Sequence, residues 1–313
     1  MRAGRDREGE ASGAGVRADR DHSGAASAAG VRADRNHSGG ASAAAVTVDL
    51  DHGGRWTSLR LGGREWLWRR DDPRRGRVAP GDPFVDAGGL EECVPTVRGQ
   101  PDHGGAWARR WRDLGGGSAE ADCGQFTLWR RVVVRDRSVT AAYRLTADPG
   151  YRFVWAAHAL FDVSDSATLL LPPGQPVRLY PEAAALLGQP WPDGAPFVTA
   201  RWPGPGGMRL DRLGPDDGSA IGAIVPGTAC ATVCDGEDRL RLRLRSASRL
   251  PLSVALWRNL RGFGEGQPYR SIGVEPMLGS VFDLAEASGE DDAVTVPAAG
   301  SVGWELEIAG VPW

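Results

Sequence analysis

The sequence predicts an all-β fold, a large sandwich or barrel, on three observations: a period-two hydrophobic pattern, dense turn residues and the lack of long helical segments. Leu240, Leu242 and Leu244 alternate with Arg239, Arg241, Arg243 and Arg245. Such alternation buries one side of a strand and leaves the other to solvent. With 44 glycines and 22 prolines in 313 residues, turn clusters such as Asp148-Pro149-Gly150 and Pro203-Gly204-Pro205-Gly206-Gly207 punctuate the pattern. No linker divides the chain after Ala44, so residues 45–313 are expected to form one domain.

In chain order, the first 44 residues stand apart. Gly15–Ala29 reads GVRADRDHSGAASAA, Gly30–Ala44 reads GVRADRNHSGGASAA, and a diverged copy, AVTVDLDHGG, begins at Ala45. Fifteen residues with almost no large apolar side chains cannot build a stackable unit. Met1–Ala44 is therefore expected to be a disordered low-complexity tail, a tandem duplication of the domain's own start, with His22 and His37 solvated. Further along, Val139, Ala141, Tyr143 and Leu145 form a half-buried strand, as do Val302, Trp304, Leu306 and Ile308. Only Pro181–Leu187 reads as helical, and it is short.

Composition narrows the chemistry. All 37 basic residues are Arg. Without Lys there is no Schiff base, no P-loop ending in Gly-Lys-Ser/Thr and no Lys-tethered pyridoxal phosphate. A net charge of -3 gives no basic excess for nucleic acid, and no apolar run is long enough to span a membrane. Cys93, Cys123, Cys230 and Cys234 are too few for a disulfide scaffold, and the polar N-terminus shows no secretory signal. A cytoplasmic protein with reduced thiols and no metal is expected. Cys230 and Cys234 lack the second pair a zinc site needs and read as strand residues.

Three residues carry candidate chemistry. In Phe153–Val163, alternation sets Phe153, Trp155, Ala157, Ala159, Phe161 and Val163 on a core face. His158 falls on the other face, where it is either a cleft histidine or a satisfied core histidine. His103 lies in a glycine-rich loop, Pro101-Asp102-His103-Gly104, suited to a ligand contact but also to a plain surface position. Glu275 precedes Pro276, which removes a strand donor and predicts a strand end or bulge there.

Taken together these segments resemble the galactose mutarotase-like proteins, which include aldose 1-epimerases and hexose-6-phosphate mutarotases. The resemblance spans residues 46 to 283. It rests on the order of Gly53–Leu59 with Gly63-Arg64-Glu65, Gly88–Pro95 (Gly-Gly-x-x-Glu-x-x-Pro), Pro101–Gly104 (Pro-x-His-Gly), the strand His158 and Val274-Glu275-Pro276. It implies a large β-sandwich, the β-supersandwich, with an open sugar cleft and no cofactor. It implies His158 as general acid on the ring oxygen, Glu275 as base on the anomeric hydroxyl and His103 as a substrate contact. Glu92, Trp107, Trp111 and Arg109 join the expected substrate-binding set, the tryptophans as stacking faces. Asp211 and Asp283 are weaker candidates to hold ring hydroxyls. The expected partner is a small-molecule sugar. Phosphorylated sugars are included because Arg109-Arg110-Trp111-Arg112 could offer guanidinium forks. The alternatives are a catalytically silent carbohydrate-binding module on the same fold, and a sugar lyase or isomerase moving protons at carbon.

Overall fold

The computed structural model describes residues 28–32 by backbone, and residues 44–264 and 268–312 in full. Two large antiparallel sheets face each other. The first holds β1 (Ala28–Arg32), β2 (Ala45–Asp49), β3 (Arg55–Leu61), β4 (Arg64–Glu65), β5 (Leu90–Cys93), β11 (Trp155–Phe161), β13 (Pro176–Leu179), β14 (Val198–Arg201), β15 (Ala220–Pro226), β18 (Leu252–Leu260) and β19 (Arg270–Leu278). The second holds β6 (Arg112–Gly115), β7 (Ser118–Asp122), β8 (Phe126–Arg135), β9 (Ser138–Ala147), β12 (Thr168–Leu170), β16 (Cys230–Asp235), β17 (Asp238–Arg245) and β21 (Ser301–Gly310). A small pair, β10 (Arg152–Phe153) with β20 (Val294–Thr295), lies beside them.

The alternation produces this arrangement directly. Leu240, Leu242 and Leu244 on β17, Val139, Ala141, Tyr143 and Leu145 on β9, and Leu306 and Ile308 on β21 are all buried in one core. Trp155, Phe153, Ala157, Ala159 and Phe161 enter the same core from the opposite sheet. Stacked Tyr143 and Trp304 rings, with Trp155 tilted against both, fill the space between sheets. The architecture is the expected all-β sandwich. Cys230 and Cys234 lie on strand β16 as free thiols. Pro181–Leu187 forms a 3₁₀ turn, Pro181–Ala183, running into one α-helical turn, Ala184–Leu187, which ends at Gly188 in the left-handed region, φ 64°.

The N-terminal segment is described only in part. Most of residues 1–44, including His22 and His37, lies outside the described residues. Within the segment, Ala28–Arg32 is an edge strand antiparallel to β2, with Val31 opposite Val46. A backbone with few apolar side chains can still pair with the open edge that β2 presents, because edge pairing uses main-chain groups. The end of the first repeat copy and the start of the second thereby pair with the third.

Candidate active site

Strands β11, β19 and β5 run through the middle of the first sheet and position the two central groups. β11 pairs with β19 at Trp155–Leu278 and Ala156–Met277, and again at Leu160–Gly273 and Phe161–Ile272. Between these stretches the ladder is interrupted. The same register carried through the gap sets His158 opposite Glu275, and the gap falls where Pro276 has no N–H to give. Glu275 is thus at neither the strand end nor the bulge that its neighbour suggested. It sits mid-strand, because β18 on the other side still pairs with it through Ala255. Directly opposed residues share a sheet face with their Cβ atoms about 5 Å apart.

His158 Nδ1 approaches Glu275 Oε1 to 2.9 Å. It is an ion contact; Nδ1 and Glu275 Oε2 have no hydrogen-bond partner among the described residues. Burial alone would push the imidazole's pKa down. The carboxylate of Glu275 outweighs it, helped by Asp86 and Glu91, and holds His158 up at about 9. Gly273 is what lets the carboxylate lie where it does. A Cβ on Gly273 would come within 2.6 Å of Glu275 Oε1.

His103 comes to the same place from the loop after β5. Its backbone is in the left-handed region, φ 57°, followed by Gly104 whose missing Cβ would strike the Val94 carbonyl at 2.0 Å. Its Nδ1 lies 2.8 Å from Asp102 Oδ1. Its ring stacks on Phe84 at 3.6 Å and meets the His158 ring nearly edge-on at 5.3 Å. Burial pushes the His103 pKa down, against the pull of Asp102. One imidazole therefore favours its proton and its neighbour does not.

These three residues open into one cleft of about 640 Å³. That is within the usual range for small-molecule sites. Opposite them, Arg98 pairs with Glu182 at 2.9 Å, its guanidinium lying over Phe282 and Tyr180. Tyr269 donates to Asp86 at 2.5 Å, with Arg70 over its ring. Trp257, beside Gly273 on β18, packs edge-on against the exposed Phe263. The sequence signal for Trp257 and Phe263 was their aromatic character alone. Arg98, Glu182, Phe84 and Tyr269 carried none, since only the sheet register gathers them.

The other expected binding residues lie elsewhere. Glu92 points into the sandwich core, fully buried, where it accepts from Arg130 at 2.6 Å, Tyr143 at 2.9 Å and Trp155 at 2.8 Å. On so short a strand Glu91 and Glu92 must face opposite ways, and Glu91, opposite His158, is held by Arg75 on the cleft side. Trp107 is buried behind the His103 loop, its indole N–H bonded to the Asp102 carbonyl at 3.0 Å. Trp111 is buried against Gly54, under the Arg130 guanidinium. Arg109 borders a separate shallow depression with Arg112, Glu120 and Asp122. In the same run Arg110 pairs with Asp51 and Arg112 with Glu120. Asp211 binds Arg209, and Asp283 caps the 3₁₀ turn Leu284–Glu286; neither lines the cleft.

Among the described residues, no group of His, Cys, Asp and Glu is arranged to hold a metal ion, and no helix is long and apolar enough to cross a membrane. No protein-family model matches the sequence, and no curated protein does. Solved structures do. A protein from Escherichia coli K12 assigned as an aldose 1-epimerase superposes with a TM-score of 0.63 at 12% identity, over 91% of this chain and 100% of its own. A galactose mutarotase-like protein from Lactobacillus casei superposes at 0.59 and 16%, over 90% and 100%. A galactose mutarotase related enzyme from Lactobacillus acidophilus does so at 0.55 and 11%, over 90% and 97%. The chain thus has the fold of the galactose mutarotase-like proteins, which is the fold that its ordered motifs suggested.

Proposed function

We propose that the protein is an aldose 1-epimerase-like enzyme that interconverts the α and β anomers of a sugar through His158 and Glu275. The observation that carries this reading is their placement side by side on one cleft wall, with Glu275 Oε2 unpartnered. The two oxygens that must exchange protons in ring opening, the anomeric hydroxyl and the ring oxygen, are bonded to the same carbon. Their acid and base must therefore be neighbours.

The steps balance without a cofactor. Glu275 takes the anomeric hydroxyl proton while His158, protonated at neutral pH, gives its proton to the ring oxygen; the C1–O5 bond breaks and an open-chain aldehyde forms. Rotation about C1–C2 presents the other carbonyl face, and the reverse transfers close the ring. His158 Nδ1 faces Glu275, which leaves Nε2 for the sugar. Arg98 and Glu182 supply a donor and an acceptor for ring hydroxyls, and Trp257 with Phe263 supplies an apolar face for C–H surfaces.

The test is proton NMR of freshly dissolved α-glucose, α-galactose and α-glucose 6-phosphate, with and without protein. Acceleration of anomer exchange is the expected result. Binding without acceleration would replace this reading with the silent carbohydrate-binding module. The phosphorylated arm is separate, because the Arg110 and Arg112 guanidiniums are already engaged outside the cleft and, among the described residues, the arginines that line it are Arg70, Arg74 and Arg98.

A further inference from the structure

His103 is held more elaborately than a simple ligand contact needs. Asp102 Oδ1 sits 2.8 Å from its Nδ1, while Asp102 Oδ2 accepts the Phe84 backbone N–H at 3.1 Å. The Asp102 carbonyl accepts the Trp107 indole N–H, and the His103 N–H donates to the Val97 carbonyl. The Phe84 side chain then covers the His103 ring and abuts His158 edge-on at 5.6 Å. One carboxylate thus joins the histidine loop to the segment carrying Phe84, and the aromatic ring of that segment covers one face of His103 and borders His158.

We infer that Asp102 is a positioning residue: it locks His103 in the uncharged tautomer protonated on Nδ1, making Nε2 an acceptor for a ligand hydroxyl, with Phe84 as the covering wedge. An ionised carboxylate can only accept, so the nitrogen facing it must carry the hydrogen. A neutral imidazole has one donor and one acceptor, and the acceptor is then Nε2. The charged groups facing His103 are Asp102 on its own loop, His158 from β11 and Glu275 from β19. The proton on His158 opposes a second one 5.3 Å away, so the two rings take different roles. The ligand chemistry is a hydroxyl that donates. A deoxy analogue lacking that hydroxyl leaves Nε2 unpaired and is discriminated against. The hydroxyl ligand rests on the epimerase reading; the tautomer does not.

The experiment is a two-bond proton–nitrogen correlation spectrum of the full chain labelled with ¹⁵N-histidine, with His103 assigned by its loss in His103→Gln. The expected pattern at neutral pH is a protonated Nδ1 and an unprotonated Nε2 for His103. Asp102→Ala should shift the population toward the Nε2-protonated form, and Asp102→Asn, whose carbonyl oxygen can still accept, should preserve the wild-type pattern. With a reacting sugar, Asp102→Ala should raise KM about 10-fold for one lost hydrogen bond, with kcat within about 2-fold and the upper pH limb unmoved. A wild-type His103 that is Nε2-protonated or doubly protonated overturns the proposal. So does an Asp102→Ala spectrum identical to wild type. Because the spectrum needs no turnover, a protein inert toward sugars would defeat the epimerase reading and leave this result standing.

Discussion

Glu92 and Glu275 lie two strands apart in one sheet, each at most 2% exposed and each beside a cation, yet on opposite faces they have opposite chemistry. Glu92, turned into the sandwich, has both oxygens occupied: Arg130 and Tyr143 on Oε1, the Trp155 indole on Oε2. Arg130 goes on to the Gly54 carbonyl at 2.7 Å, so the cluster ties the two sheets together. Glu275, turned to the cleft, keeps Oε2 free and shares Oε1 with a histidine that is itself incompletely bonded. Burial and a charged neighbour therefore do not distinguish a carboxylate with both oxygens filled from one with an acceptor left over. The distinguishing feature is an acceptor left without a donor on a carboxylate that borders the cleft.

The largest expected effect tests that contrast at the cleft. His158→Asn and Glu275→Gln should each slow anomer exchange by roughly two to four powers of ten, the usual range for a lost acid or base, while the circular dichroism spectrum stays native. Wild-type exchange rates in Glu275→Gln would remove the base from the scheme. The same change in the core, Glu92→Gln, should do the reverse. It strips the buried Arg130 of its counter-charge and should cost about 3 to 5 kcal/mol in denaturant unfolding, with the catalytic constants of the folded fraction preserved. An equal stability loss in Glu275→Gln and Glu92→Gln would erase the distinction.

A smaller effect appears with pH. With its pKa held near 9 in the folded protein against 6.5 in an unfolded chain, His158 carries its proton through the neutral range. The catalytic efficiency of the free enzyme should be flat around neutrality and fall tenfold per unit as pH rises past about 9. Linkage gives the sign for stability. The ion contact's contribution is complete below 6.5 and is lost as pH climbs through about 9. The stability difference between wild type and His158→Asn should shrink over that interval, measured by urea unfolding from pH 6 to pH 10. A difference independent of pH would show that the imidazole is not protonated in the folded state.

Much of this was legible in the chain because strand alternation is local. Leu240 to Arg245 and Phe153 to Val163 announced their buried faces, and the latter put His158 opposite the core side. The ordered motifs added His103 and Glu275. At 11 to 16% identity to the structures it resembles, the chain shares their fold without overall sequence similarity. Nearness in sequence misled elsewhere. Arg109 and Trp111 follow His103 within eight residues, yet the chain turns away from the cleft and Trp111 is spent covering Gly54. Glu92 belongs to the right motif on the wrong face; the alternation from Leu90, a core residue, would have said so. Phe84, Arg98, Glu182 and Tyr269 were invisible because they converge only through the pairing of distant strands and the loops those strands carry.

Gly273 offers the finest test of the contrast, since no glycine plays its part beside Glu92. It lies two residues before Glu275 on the same strand face, and an added methyl would come to 2.6 Å from Oε1, 3.1 Å from the Trp257 Cβ and 3.2 Å from Leu160 Cδ2. The nearest obstacle is the end of a flexible carboxylate, which can rotate away, while the two carbon contacts require shifts of only tenths of an ångström. Gly273→Ala should therefore cost little stability, about 1 kcal/mol or less, and the alanine's lower backbone entropy in the unfolded chain offsets part of that. The carboxylate that moves is the one whose place matters. Exchange should fall about 10-fold through kcat, since a misplaced base loses stabilisation of the transition state before it loses ground-state binding. Thermal unfolding and progress curves on the same preparation separate the two costs. A Gly273→Ala protein that keeps full exchange would mean that Glu275 needs no particular seat on this strand, and that its open valence alone distinguishes it from Glu92.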